Sequence, residues 1–304
     1  VLPHSMVKLT SLDRLCLRDN GLLEVDAWAA AMCSLVELDL SGNKIVRVSP
    51  EIGGLTRLQW LDMSNNRIQS LPIEFGMMRQ LEVVRMGTNR IPLVHAEFGG
   101  LTNVHHMDLS NSRIAGLIPE EFSLMNLMVT LNLSCNKIEG LPNTIGAMSR
   151  IEELDLSHNL ITNLPESAES FSGLIKLNLA HNRLRKLPRA IGPGLHSLET
   201  LDVSCNRLQE LPLSVCDCPA LSELDVYNNS LRALPLQFAT LVPQLKRLNL
   251  SRNPFTKLPD KWCSRWDLKD QYQTLWSGYK DTEVVNWTIE MGQMYEAAHD
   301  EWSR

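Results

Sequence analysis

The sequence predicts an α/β solenoid, a one-dimensional stack of short units with a parallel sheet along its inner face, and three observations predict it. Ten asparagines and one serine stand on a single ruler: Asn20, Asn43, Asn66, Asn89, Ser112, Asn136, Asn159, Asn182, Asn206, Asn229 and Asn253 are 23 or 24 residues apart throughout. Self-similarity at such a period marks a tandem array of supersecondary units. Each of these positions also closes the same phrase, Leu35-x-x-Leu38-x-Leu40-x-x-Asn43-x-Ile45 in one copy and Leu174-x-x-Leu177-x-Leu179-x-x-Asn182-x-Leu184 in another. Five residues after the asparagine come Leu-Pro pairs: Leu71-Pro72, Leu141-Pro142, Leu164-Pro165, Leu187-Pro188, Leu211-Pro212, Leu234-Pro235 and Leu258-Pro259.

Each part of the phrase has a physical reason. Leucines two apart point to one face of a short strand, and the residue between them points to the other. A single such strand cannot bury its leucines, but stacked copies build a continuous apolar column and a parallel sheet. The asparagine falls where the chain turns off the strand, and its amide can bond backbone groups that a tight bend leaves unpaired. Proline fixes an extended backbone and removes a donor, so the Leu-Pro segment crosses to the convex side without joining the sheet. There Phe75 and Met78, three apart and followed by Leu81, suit a short 3₁₀ turn.

The phrase resembles the leucine-rich repeat, in its Leu-Pro 23-residue subclass, over roughly residues 2 to 260. The resemblance implies an α/β horseshoe with a parallel concave sheet. Eleven repeats and a partial N-terminal one occupy residues 1–259, and a mostly helical, Trp-rich C-terminal cap occupies 260–304. Leu2-Pro3, Met6, Leu9 and Leu12 match the second half of a repeat whose strand is absent, and the chain is expected to begin inside a longer protein. The tail holds five of seven tryptophans and three of four tyrosines, with helical spacing over 266 to 279 and about 283 to 302. Trp262 and Trp266 are placed to close the last open edge of the core. Trp276, Trp287, Tyr295 and Trp302 then supply aromatic surface for docking a neighbour.

Length alone would suggest two compact domains, but a solenoid needs no single closed core. A formal charge of −6 and a pI near 5.8 argue against a general nucleic-acid or anionic-membrane surface. No apolar run is long enough to span a membrane as a helix. The seven cysteines are odd in number and scattered, whereas extracellular proteins of the resembled family usually carry paired cysteine clusters at both ends. The expected compartment is therefore reducing and cytoplasmic, with Cys135 and Cys205 as small, semi-buried residues. The N-x-[ST] triplets at Asn132, Asn228 and Asn249 fall inside repeat phrases that supply Asn and Ser anyway, and a fourth starts at Asn286.

Chemistry-bearing motifs are missing: there is no phosphate-binding glycine loop, nucleophile elbow or H-E-x-x-H. His105-His106 with Asp108 reads as a solvated group, because His105 points off the inner face while His106 and Asp108 stand on it. Cys216-Asp217-Cys218, on the convex side, lacks the second ligand pair a zinc site needs. The reading is non-enzymatic, with no catalytic, cofactor or metal residues. Bacterial effector ligases join similar repeats to a catalytic cysteine domain, but the 45-residue tail is too short for one and holds only Cys263.

What remains is a surface, formed by the third, fifth and seventh positions of each strand phrase. The fifth is acidic in six repeats, at Asp39, Asp62, Asp108, Asp155, Asp202 and Asp225. The residue after the ladder asparagine is basic in seven, at Lys44, Arg67, Arg90, Arg113, Lys137, Arg183 and Arg207. Both rows read as solvated charge with weak ion pairs. Departures from the pattern carry more information: Trp60, Val83, Arg85 and His106, beside Asp108, and Tyr227 further on, place hot-spot residue types outward. Ser112 reaches one fewer backbone group than asparagine does, and residues 110 to 120 are expected to be the least protected turn. The expected function is a rigid intracellular protein-binding scaffold. Resemblance to Ras-binding and phosphatase-regulating repeat scaffolds implies a small GTPase, a phosphatase subunit or a cytoskeletal assembly as partner. A permanently docked subunit of a large assembly, or the repeat portion of a larger receptor or effector, are the other readings.

Overall fold

A computed structural model gives the structure of the chain and describes residues 8–256, apart from 190 and 236. Residues 1–7 of the partial first repeat and the aromatic tail lie outside the described residues, while Leu12 packs against the core. Eleven strands form one parallel sheet whose spatial order follows the chain, from Arg14–Cys16 and Glu37–Asp39 through Trp60–Asp62, Val83–Arg85 and His106–Asp108 to Arg247–Asn249. Neighbouring strands pair with no slip, so that Leu38 lies beside Leu61, Leu61 beside Val84 and Val84 beside Met107. This central residue of each strand points into the core, and the residues on either side of it face out from the sheet. A one-residue slip would turn every leucine outward, so the apolar column itself fixes the register.

On the opposite side the chain makes the short turns that the three-residue spacing predicts. They include 3₁₀ turns at Pro50–Gly54, Ile73–Met77, Ala96–Gly100 and Glu120–Leu124, and α-helical turns at Trp28–Ala31 and Ile191–Gly194. Phe75, Phe98, Phe122 and Phe171 project from them into the core and are almost wholly buried, and the rings of Phe75 and Phe98 stack 5.1 Å apart. At Phe75 and Phe98 the turns approach closely enough that glycine follows the phenylalanine. A Cβ on Gly76 would lie 2.0 Å from the carbonyl oxygen of Glu97, one repeat on. Two small parallel pairings on the flank, Glu24–Val25 with Arg47–Val48 and Ala115–Leu117 with Lys137–Gly140, add backbone bonds that the repeat phrase does not announce.

The residue just before each ladder position takes a left-handed backbone. Asp19, Asn65, Thr88, Asn111, Cys135, His158, His181, Cys205, Asn228 and Arg252 have φ between 49° and 60°, and Gly42 has 67°. This places their side chains on an outward ridge, which corrects the expectation for Cys135: its thiol is exposed, not semi-buried. Cys205, one of its counterparts, is half-buried.

Candidate protein-binding face

The acidic row is first of all a structural device. In nine repeats the fifth position is Asp or Asn, and its Oδ1 accepts the backbone N–H two residues on at 2.8 to 3.2 Å: Asp39 from Ser41, Asp62 from Ser64, Asp108 from Ser110, Asn132 from Ser134, Asp155 from Ser157, Asn178 from Ala180, Asp202 from Ser204, Asp225 from Tyr227 and Asn249 from Ser251. These are Asx turns, and they explain why Asp and Asn interchange there, since only the shared acceptor matters. The row was expected to be solvated charge; instead its oxygens hold the strand exits. Ion pairs do occur on the sheet, as Arg14 with Glu37, Lys176 with Glu153 and Arg247 with Glu223, with at least one exposed partner in each, so they contribute little.

Against that row the fourth repeat stands out. Arg85 has no acceptor to offer its turn, and the seventh position that serine fills in most repeats is Gly87. Arg85 is exposed and makes no ion pair among the described residues, although Asp62 and Asp108 are its register partners on either side. Its guanidinium carbon instead lies over the half-buried Trp60 ring, 5.7 Å from the centroid. A cation over an indole face is attracted by the ring quadrupole, and the arrangement holds two long side chains in one place. Val83 sits beside Trp60 in register, His106 beside Val83, and the imidazole Nδ1 of His106 is 2.8 Å from Thr130 Oγ1. The structure therefore brings Trp60, Val83, Arg85, His106 and Asp108 together on three adjacent strands.

Tyr227 does not join them. It stands in the tenth repeat, where the Arg252 guanidinium lies 5.3 Å from its ring centroid. There the Asp225 carboxyl is pushed above the usual aspartate range by burial, with the Asp202 charge adding to the rise, while bonds from the Tyr227 N–H and the Asn249 amide oppose it. Trp276, Trp287, Tyr295 and Trp302 lie outside the described residues. The Cys216 and Cys218 thiols are pushed up to about 11 and about 12, first by burial, and the convex turn at Leu213–Asp217 holds them as packing groups. Among the described residues no group of three or more His, Cys, Asp or Glu side chains is arranged to hold a metal ion.

The asparagine ladder ties the face together. Asn66, for example, donates to the carbonyls of Leu40, Met63 and Ser64 and accepts from the Ile45 N–H, so each amide side chain links two repeats. At the fifth repeat, the single Ser112 hydroxyl proton is shared between the carbonyls of Met86 at 3.3 Å and Ser110 at 3.1 Å. The Ser112 N–H and that of Ile114 are both accepted by Asn136. The turn at 110 to 120 thus gains one bond from Asn136, to the Ser112 N–H, beyond the Ile114 bond that is ordinary in this array, and the acceptor that Ser112 lacks is missed one repeat back. The N–H of Ile91, whose counterpart Ile68 bonds Asn89, finds no such acceptor on Ser112. Sequence reasoning looked at the substituted residue, whereas the lost acceptor serves the repeat before it.

With this geometry the family follows. Leucine-rich repeat models match residues 10–68, 33–91, 102–161, 126–184 and 172–231, and a second leucine-rich repeat model matches 244–266. The chain belongs to the leucine-rich repeat family, whose proteins are generally non-enzymatic scaffolds for protein interaction. Among solved structures it is similar to the Leptospira interrogans leucine-rich repeat protein LIC12759, at 25% identity and a TM-score of 0.58, over 88% of this chain and 78% of that one. It is also similar to a TDR receptor, at 25% identity and a TM-score of 0.77, over 84% of this chain and 45% of that one. The ectodomain of the plant membrane receptor kinase GASSHO1/SCHENGEN3 from Arabidopsis thaliana, in complex with Casparian strip integrity factor 2, matches at 25% identity and a TM-score of 0.68. That match covers 84% of this chain but only 34% of the ectodomain, so the chain spans less than half of either receptor. No curated protein matches it.

Proposed function

We propose that the chain is a non-enzymatic scaffold that grips a protein partner on its concave face at the third to fifth repeats, through Trp60, Val83, Arg85, His106 and Asp108. One observation carries the reading. Arg85 gives up the turn bond that nine other repeats make, and it lies over an outward tryptophan that the fold does not require. Residues that cost the fold something and present tryptophan and arginine together are the make-up of an interface hot spot. The Arabidopsis ectodomain, solved with its factor, supports a protein or peptide ligand for this kind of array. The Leu-Pro pairs, shared with Ras-binding and phosphatase-regulating scaffolds, favour a small GTPase or phosphatase subunit. Scattered cysteines that form no disulfide among the described residues favour the cytoplasm. We assign residues 1–259 to the array and 260–304 to a separate aromatic segment that offers Trp276, Trp287, Tyr295 and Trp302 as a second contact; Tyr227 belongs to neither cluster. Affinity capture from the native cell followed by mass spectrometry tests the assignment. Trp60→Ala or Arg85→Ala should weaken binding of the captured partner by about 2 kcal/mol, roughly thirtyfold. Unchanged capture by both variants, with circular dichroism intact, would show that the patch is not the binding site.

A further inference from the structure

A second face of the molecule is built for a different chemistry. In a chain of net charge −6, residues 170–198 hold Lys176, Arg183, Arg185, Lys186 and Arg189 and not one Asp or Glu. Lys176 lies on the sheet and pairs with Glu153. Arg183 and Arg185 instead leave the eighth repeat on the flank. Together with Arg207 from the ninth repeat and Thr162 and Asn163 from the seventh they line a cleft of about 370 Å³. The three arginines are exposed, and among the described residues none makes an ion pair, whereas Arg14, Arg18, Arg47 and Arg247 each do. The Asn163 amide donates to Thr162 Oγ1 at 3.3 Å, which leaves the threonine proton to point elsewhere. No Asp or Glu is among the residues that line this cleft, and Glu166 and Lys186 line a small adjoining hollow.

We infer that this cleft binds a phosphorylated side chain of a protein partner. Three guanidiniums, an amide and a hydroxyl converge as donors, and guanidinium forks match phosphate oxygens bidentately. A phosphomonoester brings a charge of about −1.5 to −2 near neutral pH, which this unneutralised cluster lacks. Two features separate this ligand from a polyanion. The basic row is interrupted at Leu160, so the cleft is a cluster and not the end of a continuous track. The sheet beside it carries Asp155, Asp202 and Asp225, while the cations Lys176 and Arg247 are engaged with Glu153 and Glu223. A nucleic-acid backbone laid across that surface would meet carboxylates. A peptide with one phosphate on the flank and Lys or Arg over the sheet meets opposite charge on both. The inference rests on the protein-binding reading above but uses different repeats.

Peptide libraries oriented on phosphoserine, phosphothreonine or phosphotyrosine, with degenerate flanks, test it on the whole chain. Selection of phosphorylated over unphosphorylated peptides is expected, with Lys or Arg enriched beside the phosphoresidue, and inorganic phosphate should compete. The double variant Arg183→Ala/Arg185→Ala should lose at least tenfold in affinity for the selected peptide. Arg67→Ala/Arg90→Ala, which removes the same charge from the basic row outside the cleft, should not. Asn163→Asp gives an independent variant that adds one negative charge within the cleft and should also weaken binding. The inference is overturned by equal loss in the two double variants, by no discrimination between phosphorylated and unphosphorylated peptides, or by tighter cleft-dependent binding of oligouridylate or of vesicles carrying phosphatidylinositol bisphosphate. Trp60→Ala should leave peptide selection unchanged, so failure of the concave-patch reading shows in partner capture and failure of the cleft shows in the library.

Discussion

The fourth and eighth repeats depart from one template in opposite directions. In the fourth, the change is on the sheet: Arg85 and Gly87 replace the aspartate and serine of the turn, and the arginine lies across Trp60. In the eighth, the sheet keeps its habits, with Asn178 capping the Ala180 N–H and Lys176 paired with Glu153, and the change is on the flank as Arg183 and Arg185. Both keep the inward column apolar, with Val84 and Met86 in the fourth and Leu177 and Leu179 in the eighth, and both keep the ladder asparagine. A repeat whose stacking is secured by a few inward positions can be rewritten at the others, one face at a time.

The largest effect expected from breaking this scaffold is at Asn136, which holds three carbonyls and two N–H groups of two repeats. Asn136→Ala should cost about 3 kcal/mol or more in chemical denaturation, because several buried groups lose partners together, while Ser112→Ala should cost about 1. Equal losses would mean that the repair of the fifth repeat by Asn136 is not what stabilises it, and hydrogen exchange should single out the Ile91 amide as faster than that of Ile68. Next comes Arg85→Asn, which restores a turn acceptor. It should raise stability by roughly 1 kcal/mol and abolish the contact with Trp60, so that folding and partner affinity move in opposite directions. A loss of stability instead would show that the stacked pair supports the fold. Thr88 is a β-branched residue at φ 60°, and Thr88→Asn should raise the melting temperature by the equivalent of about 0.5 kcal/mol.

The smallest effect sharpens the contrast between the two ends of the sheet and depends on pH. Burial makes folded Asp225 hold its proton at pH values where the unfolded chain has released it. The stability it contributes is therefore present in acid and is lost as pH rises through the raised folded value. Asp225→Asn keeps an Oδ1 for the Tyr227 N–H and carries no charge. Its stability relative to the native chain should grow from acid to neutral pH; a difference that stays flat across that range would remove burial as the cause.

The array was legible because its determinants are local. A leucine at every second position and an asparagine three residues past the last one specify strand, face and turn within nine residues of chain, and stacking repeats them. Trp60, Val83, Arg85 and His106 were legible for the complementary reason, since each breaks the pattern where the pattern faces out. The turn role of the aspartates was hidden because a bond spanning two residues looks, in the letters alone, like surface charge. The arginine cleft was hidden more deeply: Arg183 and Arg207 fit the ordinary basic row, and only folding brings them against Arg185 and Asn163 from neighbouring turns.

The vacancy at Ile91 also has a mechanical consequence. Elsewhere every step along the horseshoe is riveted by an amide side chain that bonds both repeats it joins, as Asn66 does between Leu40 and Met63. Between the fourth and fifth repeats one rivet is smaller, and just beyond it the flank is stiffened by the pairing of Ala115–Leu117 with Lys137–Gly140. Bending of the arc concentrates at such a step, as it does at a flexure cut between two stiff plates. Val83 and His106 lie side by side across it, so a partner held on both, as proposed above, would clamp the curvature at this step.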